Sequence, residues 1–202
     1  MRSFLLLATA VLTLAACDAT APSTQSTAVS IKADDTTAGD VDGRTLAQIR
    51  RATARYHRVE QALADGWGAP PEPEAPAPIS PCVDDSFPVD LGADLGGMGH
   101  HYINLKLMDG ELDPLTPEIL LYEPTKNGRF RLVGVEYVVP FGVEPREADG
   151  GTAPELLGQT FHPSEGAGGW ALHVWTWKNN PAGLFADFNP NVSCEYAAAP
   201  DA

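Results

Sequence analysis

Two runs of mostly apolar residues, Glu118 to Glu123 and Arg129 to Val139, are separated by Pro124-Thr125-Lys126-Asn127-Gly128. An Asn-Gly pair at the end of a short loop between such runs is a strong hairpin signal, because both residues tolerate the left-handed backbone of a tight return. It commits the middle of the chain to an antiparallel sheet. A lone hairpin is at best marginally stable in water, so other segments must add strands or a covering helix. Strand side chains alternate between faces, which puts Leu132, Gly134, Glu136 and Val138 on one face and Val133, Val135, Tyr137 and Val139 on the other. From Leu132 to Val139, Glu136 is the only charge. A buried carboxylate costs several kcal/mol if left alone, so it must meet a cation, a metal or several donors, or keep its proton.

Two further segments carry the same alternation with a polar interruption. After the glycine-rich Gly96-Gly97-Met98-Gly99, the sequence His100-His101-Tyr102-Ile103-Asn104-Leu105-Lys106-Leu107 sorts His101, Ile103, Leu105 and Leu107 onto one face. His100, Tyr102, Asn104 and Lys106 fall on the other. Trp170 to Trp177 places His173, Trp175 and Trp177 opposite Leu172, Val174 and Thr176. His101, Glu136 and His173 thus share a description: each interrupts an apolar strand. Two imidazoles and a carboxylate form a donor set for zinc, non-haem iron, copper or nickel. His100, His162 and His57 are reserve ligands. Trp170, Trp175, Trp177 and Phe161 are candidate walls of a pocket for a small apolar molecule.

The rest of the folded part reads as one domain over residues 41–196 of α+β class, with an N-terminal helix packed on a small antiparallel barrel or sandwich. Thr45 to Ala64 has Leu46, Ile49, Thr53, Tyr56, Val59 and Leu63 at helical spacing, Thr45 and Gln48 at capping-box spacing, and Gly66 to end it. His57 sits beside the stripe. Residues 68–81 are too proline-rich for helix or central strand and read as a stiff connector to a β domain over 82–196. Residues 140–169 hold four prolines and many glycines and read as a long irregular excursion, lid or rim. Asn180 to Asn191, full of turn formers and aromatics, is expected to close one end of the sheet.

At the other end of the chain, Met1-Arg2-Ser3 precedes an uncharged apolar stretch from Phe4 to Leu14. This is a signal-peptide pattern, too short for a transmembrane helix. It runs into Leu14-Ala15-Ala16-Cys17, which resembles a bacterial lipobox. That resemblance implies cleavage after residue 16 and lipid on Cys17, anchoring an exported protein to the cell envelope. Residues 17–40 then read as a flexible tether. The formal charge is −14, and removing Arg2 with the leader brings it to about −15, so nucleic acid is an unsuitable partner. Cys82 and Cys194 remain. In an exported protein a disulfide is their natural state, closing a loop for which the chain-entropy model gives roughly 4 to 5 kcal/mol. Two free thiols or a thiolate metal site are the alternatives.

The strings Ala52-Thr53-Ala54-Arg55-Tyr56-His57, Met98-Gly99-His100-His101-Tyr102-Ile103-Asn104, Leu121-Tyr122-Glu123-Pro124, Leu172-His173-Val174-Trp175 and Asn189-Pro190-Asn191-Val192-Ser193-Cys194 are similar to those of an uncharacterised family of exported bacterial proteins. The resemblance covers most of the mature domain and implies no activity. In residue types and order, the trio also resembles the cupin arrangement, where a small barrel holds a metal with histidines and a glutamate. Ile103 stands where a cupin's first motif carries its second histidine. Three functions follow: a lipid-anchored module that binds a metal or a small apolar ligand, a metal-dependent enzyme with residues 140–169 as lid, or an envelope structural protein without ligand.

Overall fold

A computed structural model describes residues 41–68, 79–86, 91 and 93–197. The leader, Cys17, the tether and most of the proline-rich connector lie outside these residues. The described chain is α+β, mostly strand, and its centre is one six-stranded antiparallel sheet.

The strands of this sheet are β1 (Val83–Asp84), β2 (Gly97–Ile103), β3 (Ile119–Pro124) and β4 (Phe130–Pro140), then β7 (His162–Ser164) and β8 (Gly169–Val174), which follow the short strands β5 (Glu155–Leu156) and β6 (Gln159–Thr160). Their order across the sheet is β1-β2-β3-β4-β8-β7, and β5 and β6 pair separately. The sheet curls into a half-barrel. Edges β1 and β7 do not pair with each other, so the expected closed barrel does not form, nor does a sandwich of two large sheets. The hairpin expected around Asn127-Gly128 is β3–β4. Its turn has Gly128 at φ 72°, with the Gly128 amide donating to Thr125 O at 2.8 Å.

Other boundaries differ from the sequence reading for local reasons. β2 ends at Ile103, because the Asn104 side chain accepts from the Lys106 amide and starts a 3-10 turn over Leu105–Leu107. The excursion over 140–169 contains the β5–β6 hairpin, whose two turn residues, Leu157 and Gly158, both have positive φ, and the edge strand β7. In β4 the register slips: Tyr122 pairs with Leu132 and Leu121 with Gly134, leaving Val133 as an extra residue. This bulge puts Leu132 on the same side as Val135, Tyr137 and Val139, and Val133 with Val138. Alternation from Gly134 onward is as the sequence predicts.

The N-terminal helix is broken rather than continuous. α1 (Gly43–Thr53) is capped by Asp42, whose carboxylate accepts from the Arg44 and Thr45 amides, so the cap lies three residues before the expected Thr45. Thr53 Oγ1 donates back to Ile49 O at 2.8 Å, a pairing that loosens helices. A 3-10 turn over Ala54–His57 and an extended Arg58 precede α2 (Val59–Ala64). The break advances the buried stripe by one position, so Ala62 is buried where Leu63 was expected, and Leu63 is 39% exposed.

The helical segment covers one face of the sheet. Ile49, Tyr56, Ala62 and Trp67 pack with Tyr102, Leu120, Tyr122, Leu132, Val135, Tyr137, Leu172 and Val174. On the opposite face Ile119, Leu121, Val133, Val138, Ala171 and Trp175 form a smaller cluster with Val192. Val192 belongs to the segment after β8, which returns over this face, while Leu184 and Phe185 of the same segment pack against the helical-side cluster. Trp175 Nε1 donates to Ala186 O at 2.6 Å, Asn189 exchanges backbone hydrogen bonds with Gly97, and the Cys82–Cys194 disulfide fastens the segment beside β1. The cysteines are paired, with Cα atoms 5.7 Å apart.

Candidate metal centre

His101, Glu136 and His173 come together on the second face. Glu136 and His173 are direct partners in the β4–β8 ladder. His101, opposite Leu121 in the β2–β3 ladder, reaches across β3 toward them. Both imidazoles aim at one oxygen: His101 Nε2 is 3.4 Å and His173 Nε2 3.8 Å from Glu136 Oε2. One donor atom from each residue can be chosen so that all three lie within 4.8 Å of one another, a group that could hold a metal ion. Ligands on a tetrahedral ion with bonds of about 2.1 Å stand about 3.4 Å apart, so the spacing suits such an ion with little movement. Only 3% of the Glu136 and His173 side chains and 13% of that of His101 are exposed.

Polar atoms at this depth normally have partners. Yet, among the described residues, Glu136 Oε2 and both ring nitrogens of His173 find no hydrogen-bond partner. His101 differs, since its Nδ1 lies 3.1 Å from Ser80 Oγ. That hydroxyl accepts from the His101 amide at 2.9 Å and donates to Pro81 O at 2.8 Å. With its proton so used, Ser80 Oγ accepts a hydrogen bond from His101 Nδ1–H, and Nε2 is left bare toward Glu136. Metal-binding histidines are commonly held in this way by a partner on the far nitrogen.

Burial sets the two histidines apart. It drives the His101 pKa down to about 4, with His173 and His100 adding to the effect and Glu136 opposing it, so this imidazole is neutral at pH 7. Burial pulls His173 down too, but Glu136 and Asp187 outweigh it and hold that ring above its ordinary value. Asp187 belongs to the covering segment. Its Oδ1 is 3.4 Å from His173 Nδ1, without hydrogen-bond alignment, and 2.7 Å from His162 Nε2. Burial raises the Asp187 carboxyl, and the two histidines more than reverse this.

The remaining candidates are scattered. His100 points to the helical side, with Nδ1 2.9 Å from Ser80 O and its ring edge-on to Phe130. His57 lies edge-on to Trp177. Of the four proposed pocket walls, only Trp175 is beside the trio, its ring near-parallel to His173 at 6.3 Å. Trp170, Trp177 and Phe161 belong to the helical core. β8 stops at Val174, so alternation no longer governs Trp177, which donates from Nε1 to Thr53 Oγ1 at 3.1 Å. Two surface clefts, of about 740 and 580 Å³, are lined by neither the trio nor these three tryptophans.

Ser80 and Asp187 escaped the sequence reading. Asp187 had a signal, as the single charge within Leu184-Phe185-Ala186-Asp187-Phe188. Ser80 had none, because only the fold brings it beside β2. Glu118 was also missed. It is buried at the end of β3, where Oε2 accepts from the Val138 amide at 3.2 Å, and burial raises its carboxyl to about 8.

Comparison with protein-family models, curated proteins and solved structures finds no significant match to this chain.

Proposed function

We propose that the protein is a lipid-anchored, extracytoplasmic metal-binding module in which His101 Nε2, Glu136 Oε2 and His173 Nε2 hold a divalent transition metal. One observation carries the reading: two of the three buried donors have no hydrogen-bond partner, and all three converge at ligand spacing. The spacing favours zinc, which accepts tetrahedral N/O sets; iron and copper suit the same donors. Ser80 orients His101, and Asp187 supplies charge behind His173. The disulfide is compatible with export, and the lipobox-like Leu14-Ala15-Ala16-Cys17 supplies the address and the membrane contact.

Metal analysis of the purified mature domain, refolded with its disulfide in the presence of zinc, iron, copper and nickel, tests the reading. At least one bound equivalent is expected in the wild type. Glu136→Ala and His101→Ala, checked for folding by circular dichroism, should retain no ion at the buried site. A wild-type domain that emerges free of metal sinks the reading and leaves His173 as an imidazolium between Glu136 and Asp187.

A further inference from the structure

His173 is unusual in that both of its ring nitrogens are buried and, among the described residues, face carboxylates without an aligned hydrogen bond. Nε2 faces the trio, while Nδ1 faces a second group of potential ligands, Asp187 and His162. One donor from each of His162, His173 and Asp187 also lies within 4.8 Å of the others. If Asp187 merely oriented the ring, its oxygen would be aligned with an Nδ1–H donor. It lies 3.4 Å away without that alignment.

Resting on the proposed metal site, we infer a second one: His162 Nε2, an Asp187 carboxylate oxygen and His173 Nδ1 hold another divalent ion, so the His173 ring bridges two metals. The two sites differ in access. The first is sealed among β2, β4 and β8, whereas the side chains of His162 and Asp187 are 42% and 40% exposed. The inner ion is therefore expected to stay and the outer one to exchange. Occupation of the outer site requires two changes. The 2.7 Å contact between His162 and Asp187 must open by about 0.7 Å, toward the roughly 3.4 Å spacing of tetrahedral ligands. His173 must also release its last N–H proton to solvent as the second bond forms, becoming an imidazolate with one lone pair for each ion.

Copper(II) titration of the refolded, metal-stripped mature domain reads this directly. Two equivalents are expected, with the second removed by brief chelation. The fully loaded protein should lose most of its electron paramagnetic resonance intensity, because copper ions joined through one imidazolate couple antiferromagnetically. His162→Gln should bind one equivalent and show the full signal of an isolated ion, whereas His173→Ala should bind neither tightly. Saturation of the wild type at one equivalent overturns the second site and leaves the first standing. Two equivalents in His162→Gln, or two uncoupled ions in the wild type, overturn the bridge. A wild type that binds no copper overturns both.

Discussion

The sheet buries its two faces by different means. Against the helices it presents Tyr102, Leu120, Tyr122, Val135, Tyr137, Leu172 and Val174, a wall of rings and branched chains that needs no partner beyond close packing. Two of its tyrosine hydroxyls reach backbone carbonyls: Tyr122 donates to Tyr56 O and Tyr137 to Pro114 O, both at 2.6 Å. The opposite face has a smaller apolar cluster, three ionisable side chains of which Glu136 and His173 carry atoms without a hydrogen-bond partner among the described residues, and a cover of irregular chain fastened by a disulfide. Apolar burial is non-directional and accumulates with area, whereas a buried charge is tolerated only with a suitable partner. The first face can hold the fold without help. The second gathers donor atoms that could hold an ion.

The largest expected effect therefore falls on the first face. Tyr122→Ala should cost about 3 to 5 kcal/mol, by analogy with other buried aromatic truncations, in urea unfolding of the metal-free domain. A loss under about 1 kcal/mol would mean that the helical face does not carry the fold. Next is the clasp on the second face. Replacing Cys82 and Cys194 together by Ala should cost about 2 to 4 kcal/mol. It should also raise amide hydrogen exchange at Gly97 and Asn189 well before Leu120 or Val135. Uniform exchange across both faces would erase the distinction drawn between them.

Glu118 gives the smallest and most pH-specific effect. Burial lifts its carboxyl to about 8 in the folded protein, against an ordinary 4.5, so between these limits the native state keeps a proton that the unfolded chain has lost. Stability from this group is complete below about pH 4.5, drains as pH rises, and levels off above about 8. Glu118→Gln keeps the acceptor for the Val138 amide and removes the titration. At pH 8 it should be more stable than wild type by on the order of 1 to 3 kcal/mol, since each pKa unit corresponds to about 1.4 kcal/mol. Little difference is expected at pH 4.5. Parallel slopes of stability against pH for the two proteins would remove Glu118 from the account.

What could be read in advance followed the same division. The hairpin and the facial logic of His101, Glu136 and His173 rest on short-range rules of turn chemistry and alternation, and the pairing of Cys82 with Cys194 on cysteine count and the expected export, and these were legible. The break in the helix was not, because Thr53 and the extended Arg58 answer to packing against the sheet rather than to propensity. The bulge at Val133 was equally hidden, since one extra residue leaves an apolar run looking apolar. Trp177 shows where alternation fails: once the strand has ended, period two predicts nothing. Ser80 and Asp187 come from segments far from the strands in sequence, and no local pattern announces a residue whose meaning lies in its distant neighbour.

The order of the chain gives the disulfide clasp a further meaning. All eight strands and both helices of the described residues have been synthesised by Val174, whereas Asp187, Val192 and Cys194 follow. A nascent chain can thus assemble its aromatic face while the ligand-bearing face is still uncovered, with His173 open to any passing ion. Closure then waits for an oxidant to join two sulfurs 112 positions apart. If the proposed site holds a metal, its choice becomes a matter of timing: the ion retained would be the one present where and when that bond is made.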